Sequence, residues 1–168
     1  QIEWEEEVRT SVWTEIVENK IYQQARHLED VGSEQANLLF SYIGQLQPGD
    51  ATNREGHAAK VYFNALFGLT FSRNKQNFAN SALNYGYSIL LSAFNRAIVA
   101  NGYSTQIGLF HRSEFNPFNF SCDLMEPFRV IVDRKVFQME GESLDTKAKR
   151  ELQNLTNQKV VITGKEYT

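Results

Sequence analysis

The sequence predicts an all-α fold of several helices, with a short β-strand or hairpin remnant near its C-terminus. Three observations carry that prediction. Apolar residues recur at three- and four-residue intervals from about Glu3 to Glu29, residues 78 to 101 are apolar almost all round, and only Lys159 to Thr163 reads as a strand.

Trp13, Ile16, Val17, Ile21, Ala25 and Leu28 fall on one stripe, which predicts a single long amphipathic helix over Glu3 to Glu29. Gly32-Ser33 breaks it, and a shorter helix follows over Glu34 to Leu46. Pro48-Gly49-Asp50 is a turn cluster. Thr52 is placed to cap a helix that runs to about Phe67 and closes on Gly68. The 78–101 segment, ended by Gly102, predicts a central buried helix. Its one polar stripe, Asn77, Asn80, Asn84, Ser88, Ser92 and Asn95, suits a narrow solvent edge or the wall of a cleft. Residues 103 to 120 form an aromatic, Asn-rich connector. Ser121 is placed to cap a helix to about Met139, bent where Pro127 removes a backbone bond. Asp145 to Asn157 completes the helices, and there is no internal repeat.

A chain of 168 residues reads as one domain, residues 1–168, large enough to bury a core. No apolar run is long enough to span a bilayer, so no membrane partner is expected. A single cysteine, Cys122, excludes an internal disulfide framework and fits a reducing, cytoplasmic compartment. Gln1 has no initiator Met before it, and the expectation is an excised part of a longer protein. The net charge is −3, from 17 Lys and Arg against 20 Asp and Glu. That argues against holding nucleic acid by bulk electrostatics alone. Part of the excess is local: Glu3, Glu5, Glu6 and Glu7 suit the positive end of the first helix dipole.

Four side chains in mostly apolar surroundings are the candidate site: Glu55, His111, Asp123 and Glu126. One imidazole with two or three carboxylates is the donor set of an open divalent-metal site. Each has an ordinary explanation too. Thr52-x-x-Glu55 is a capping box, although Ala58 and Ala59 beneath Glu55 would let another segment approach. His57 should point away from Glu55, about 200° round the helix. His111, among Phe110, Phe115, Phe118 and Phe120, suits a hydrogen-bonded core residue. Asp123 and Glu126, at i and i+3, share one face and repel unless a cation offsets them. That cation is either a metal or Arg129, three residues further on.

Together these segments resemble the catalytic subunit of the CRISPR spacer-acquisition integrase, its type II-A branch in particular. The strings that carry the likeness are Thr52-Asn-Arg-Glu-Gly-His-Ala-Ala-Lys-Val-Tyr-Phe-Asn64, Leu83-Asn-Tyr-Gly-Tyr-Ser-Ile-Leu90, Gly108-Leu-Phe-His111 and Asp123-Leu-Met-Glu-Pro-Phe-Arg129. The resemblance implies the helical catalytic lobe of that family, with its N-terminal β domain and a final helical segment outside the chain. It implies Glu55, His111 and Glu126 as catalytic metal ligands, with Asp123 sharing the ion or organising its surroundings. It implies Mn²⁺ or Mg²⁺, and transesterification in which a 3′-OH of one DNA attacks a phosphodiester of another. Arg54, Arg112 and Arg129 are then candidate DNA-phosphate contacts. The implied partners are double-stranded DNA, a second copy through the missing N-terminal domain, a small dimeric adaptation subunit and other acquisition-complex proteins. The alternative is a helical binding module whose acids are only caps and salt bridges.

Overall fold

The computed structural model describes residues 1 and 3–157, together with the backbone of 160–162 and 165–167. Seven α-helices are present among them: α1 (Glu6–Asp30), α2 (Gln35–Ile43), α3 (Arg54–Phe67), α4 (Phe78–Ala100), α5 (Asn119–Met125), α6 (Arg129–Phe137) and α7 (Thr146–Gln153). A two-stranded antiparallel hairpin follows. Strands β1 (Val160–Ile162) and β2 (Lys165–Tyr167) pair with Val160 opposite Tyr167 and Ile162 opposite Lys165. Lys159 and Thr163, the ends of the predicted strand, lie outside the described residues. No described helix is long and apolar enough to cross a membrane.

Helix α1 is the axis of one half. Its predicted stripe is buried residue for residue, from Trp13 to Leu28. It packs on α2, α3, α5 and α6, and on the two 3₁₀ turns at Pro48–Asp50 and Glu126–Phe128. The second half is built on α4, which meets α5, α6 and α7. Here Gly86 matters, because a Cβ at that position would stand 2.3 Å from Val132 Cγ1. Only glycine lets α4 and α6 approach so closely. α4 is central in its contacts but buried along one side only, at Asn80, Ala82, Leu83, Gly86 and Ile98. Val99 is exposed, as are Asn84, Ser88 and Ser92 of the polar stripe, which places most of that stripe on a solvent edge.

Three local expectations are corrected. The Thr52 capping box does not form: α3 starts at Arg54, and the Asp50 carboxylate accepts from the amides of Arg54 and Glu55 at 2.7 and 3.0 Å. Asp50 and Asn53 adopt positive φ to make that turn, a conformation that short polar residues tolerate. Ser121 is not a cap either; its hydroxyl bonds Asn95 on α4 while α5 begins at Asn119. The helix expected through Met139 is split. Pro127 cannot donate, so the chain tightens into the Glu126–Phe128 3₁₀ turn before α6 resumes. That turn lies against α1, and it decides where Glu126 goes.

Candidate active site

The site is assembled on α1. Lys20 donates to Glu55 Oε1 of α3 and to Glu126 Oε2 of the 3₁₀ turn, both at 2.5 Å. Two bonds of that length to one nitrogen hold the carboxylate oxygens within about 5 Å of each other. At an effective dielectric of about 20 their repulsion at that distance is about 3 kcal/mol, so the pair requires a cation between them. Arg129 Nε adds a second partner to Glu126 at 2.9 Å. Burial works against ionisation of Glu126, but Lys20 and Arg129 outweigh it and hold its pKa below the usual range. Burial likewise pulls the Lys20 ammonium down, and Glu126 and Glu55 outweigh that and hold it up. Both groups are charged.

The second pair is His111 with Asp123. Asp123 is fully buried and accepts from the amides of Leu109, Phe110 and His111, at 2.6, 3.1 and 3.2 Å. It also accepts from His111 Nδ1 at 2.5 Å. An ionised carboxylate has about four acceptor sites, so Asp123 is saturated. The loop must wrap tightly to achieve this. A Cβ on Gly108 would stand 2.3 Å from the His111 carbonyl oxygen and 2.8 Å from Asp123 Oδ2. From α1, Arg9 donates to the Gly108 carbonyl at 2.9 Å, and Trp13 stacks on Phe110 with ring centroids 4.5 Å apart. The His111 ring packs edge-on to Trp13. Its pKa is raised, first by the hydrogen bond to Asp123, against burial, and further by Asp123, Glu126 and Glu55. Asp123 fixes Nδ1 as the donor, which leaves Nε2 as the ring nitrogen able to take a ligand.

The four predicted side chains therefore form two pairs rather than one common centre. Among the described residues no three His, Cys, Asp or Glu side chains stand in metal-holding geometry. Lys20 stands between the two glutamates, and His111 is turned onto Asp123. The donor set nevertheless fits a hard divalent ion. Two carboxylates already converge on one cation, and an imidazole feels both of them. His57 is exposed, as its angle predicted.

The three predicted arginines are placed as follows. Arg129 pairs with Glu126 and lies 4.6 Å from the Tyr87 ring centroid. Arg112 pairs with exposed Glu6 at 3.0 Å. Arg54 lies 5.3 Å from the Tyr42 ring centroid, and its buried Nε has no hydrogen-bond partner. A cleft of about 690 Å³ opens beside His111, with Arg9, Gln106, Arg112, Asn116 and Asn119 among its walls. Glu55 and Glu126 do not line it.

Sequence reasoning missed Lys20 and the buried group behind it. Asp133 on α6 is wholly buried and accepts from Tyr87 of α4, with the Tyr62 hydroxyl of α3 also facing it. Tyr62 also bonds His27 Nδ1 at 2.7 Å. Burial raises Asp133 to about 6, although both tyrosines and Arg129 oppose the rise. Burial, with Arg134 adding to it, lowers His27 to about 4. A signal for Lys20 was present. It follows Ile16 by four residues and precedes Gln24 by four and His27 by seven, so it is in phase with the buried stripe. A lysine there needs buried acids to meet it.

The fold has solved counterparts. The fold superposes on a casposase bound to its integration product with a TM-score of 0.76 at 24% identity, over 98% of this chain and 60% of that one. It superposes on a chain of a partial Cas6-RT-Cas1–Cas2 complex with a TM-score of 0.74 at 19% identity, over 89% and 57%. Among curated proteins, the chain is 40% identical over 140 residues to a CRISPR-associated endonuclease Cas1 of Neisseria meningitidis serogroup C (strain 8013), covering 83% of this chain and 46% of that protein. It is 32% identical over 136 residues to a CRISPR-associated endonuclease Cas1 of Francisella tularensis subsp. novicida (strain U112), covering 70% and 43%. The chain thus spans about half the length of the curated relatives it matches. The family model described as CRISPR associated protein Cas1 matches residues 1–156, nearly the whole chain, and the chain belongs to that family.

Proposed function

We propose that this chain carries the catalytic centre of a metal-dependent DNA endonuclease and integrase that inserts new spacers into a CRISPR array. One observation supports this most: Glu55 and Glu126, 71 positions apart in sequence, converge on one cation from two separate segments. Glu55, Glu126 and His111 Nε2 would hold Mn²⁺ or Mg²⁺. When bound, such an ion polarises a phosphoryl oxygen and stabilises the oxygen that attacks or leaves.

The chain's own residues do the rest. Asp123, with no acceptor site to spare, is a positioning residue that fixes the imidazole through Nδ1 and the loop through three amides. Arg129 helps keep Glu126 ionised and ready to ligate. Arg54 has no carboxylate partner among the described residues, whereas Arg112 and Arg129 must first exchange a carboxylate for a phosphate. A 3′-OH of one DNA attacks a phosphodiester of another, so one P–O bond forms as another breaks and a different 3′-OH departs. Double-stranded DNA is the substrate. The partners are a small dimeric adaptation subunit, consistent with the Cas2 named in two solved neighbours, and a second copy joined through an N-terminal domain. The setting is cytoplasmic. The type II-A affiliation rests on the quoted strings alone.

The test is Mn²⁺-dependent cleavage or strand transfer by the wild type, by Glu55→Ala and by His111→Ala, with folding checked by circular dichroism. Loss in both folded variants is expected; undiminished activity in both would refute the reading. A second reading, a non-catalytic helical binding module, is favoured by the fact that every acid of the site already has a protein partner. It predicts no thermal stabilisation by Mn²⁺. Ligand saturation to about 100 times Kd adds about 2.7 kcal/mol, enough to see in a melting curve. A shift that Glu126→Ala abolishes rules that module out.

A further inference from the structure

We propose that Lys20 is a built-in counter-cation for the Glu55–Glu126 pair, holding the two acids together until a divalent ion displaces it; this rests on the metal reading above. Lys20 is in phase with the core-facing side of α1, and its side chain is 11% exposed. A lysine in such a place gives up most of its hydration and regains it only through ion pairs. Both of its bonds go to acids, and the two acids come from separate elements, α3 and the Glu126–Phe128 turn. Glu126 already has Arg129, so charge balance at Glu126 alone does not require Lys20. What Lys20 adds is the link from Glu126 to Glu55.

That link cannot coexist with an ion on the same oxygens. A divalent ion binds carboxylate oxygen at about 2.1 Å, and Lys20 Nζ sits at 2.5 Å from the oxygens it would use. Two cations in that space repel more strongly than either acid can offset, so loading is an exchange. Lysine suits exchange better than arginine would. It is a single point charge on a flexible four-carbon stem, with no planar fork to hold it in register. The stem emerges from α1, which stays packed while the ammonium withdraws.

The experiment follows Lys20 directly. Reductive dimethylation of the wild-type protein, read by mass spectrometry, measures how accessible each lysine amine is with and without Mn²⁺. Lys20 should be slow to label without the ion and about ten-fold faster with it, the scale of an ordinary coupling between ligands of one site. In parallel, free Mn²⁺ measured by electron paramagnetic resonance should show that Lys20→Met binds the ion about ten-fold more tightly than wild type, and that Glu126→Gln scarcely binds it. If Mn²⁺ binds the wild type but leaves Lys20 labelling unchanged, the exchange is wrong while the metal reading stands. If neither the wild type nor Lys20→Met binds Mn²⁺, both are wrong. Should Lys20→Met fail to fold, the wild-type labelling still decides.

Discussion

Two buried carboxylates about two turns apart along the same segment meet opposite fates. Glu126 faces Lys20 and Arg129 and stays ionised, its pKa held below the usual range. Asp133, seven residues on, faces two tyrosine hydroxyls and is pushed up to about 6. Burial alone would raise both. Hydroxyls satisfy a carboxylate's hydrogen bonds without neutralising its charge, whereas an ammonium does both. The difference lies in the partners: cationic side chains keep Glu126 charged, and tyrosine hydroxyls leave Asp133 to the effect of burial.

The sharpest way to break the comparison is Glu126→Gln. It strands Lys20 and Arg129 beside a neutral amide, and removing one partner from a buried pair costs about 3–5 kcal/mol. Urea midpoints at constant m-value should report a loss near the lower end, because Glu55 still meets Lys20.

Gly86→Ala attacks the other acid through packing. The added methyl drives into Val132 and pushes α4 from α6, taking Tyr87 away from Asp133. Overpacking of this kind costs about 1–3 kcal/mol, measurable as a lowered Tm.

Next in size is the pH dependence. Asp133 has a raised folded pKa, so its stabilisation is complete below its unfolded value of 3.8 and is lost as pH rises through about 6. His27 has a lowered one, so its stabilisation is complete above 6.5 and is lost as pH falls through about 4. The windows overlap with opposite slopes. Asp133→Asn should therefore leave a protein that weakens from pH 6.5 down to 4. His27→Gln should leave one that weakens from pH 4 up to 6. Urea midpoints across that range check both, and parallel profiles for the two variants would contradict the assignments.

The smallest effect is Arg112→Ala. Its pair with Glu6 is exposed on both sides, and such pairs contribute at most about 1 kcal/mol. Stability should scarcely move. A large loss of DNA binding in this variant would mark Arg112 as a phosphate contact.

The sequence made the helices legible wherever one apolar stripe decides the structure, as in α1. It was less informative where another residue, near or far in sequence, competes for a local role. Thr52 has the capping-box pattern, yet Asp50 reaches the same amides because the 50–53 turn curls through positive φ. Ser121 has the cap signature, yet Asn95 claims its hydroxyl. The candidate site was legible as a set of residue types that the fold brings into two pairs, and the pairing was not. Asp123 and Glu126 share a helical face by spacing, but Pro127 ends the helix regularity between α5 and α6 and sends Glu126 to α1. Asp133 left no mark at all, since only the approach of α3 and α4 supplies its tyrosines.

Helix α1 supplies none of the proposed ligands, yet it grips each segment that does. Arg9 holds the Gly108 carbonyl, Trp13 lies on Phe110, and Lys20 reaches both glutamates. These three grips lie between Arg9 and Lys20, about 16 Å along a single rod. An axial slide of that rod by a fraction of an ångström would retune the imidazole and the carboxylates in step. On the proposed metal reading, a displacement of α1 would therefore reach all three proposed ligands together.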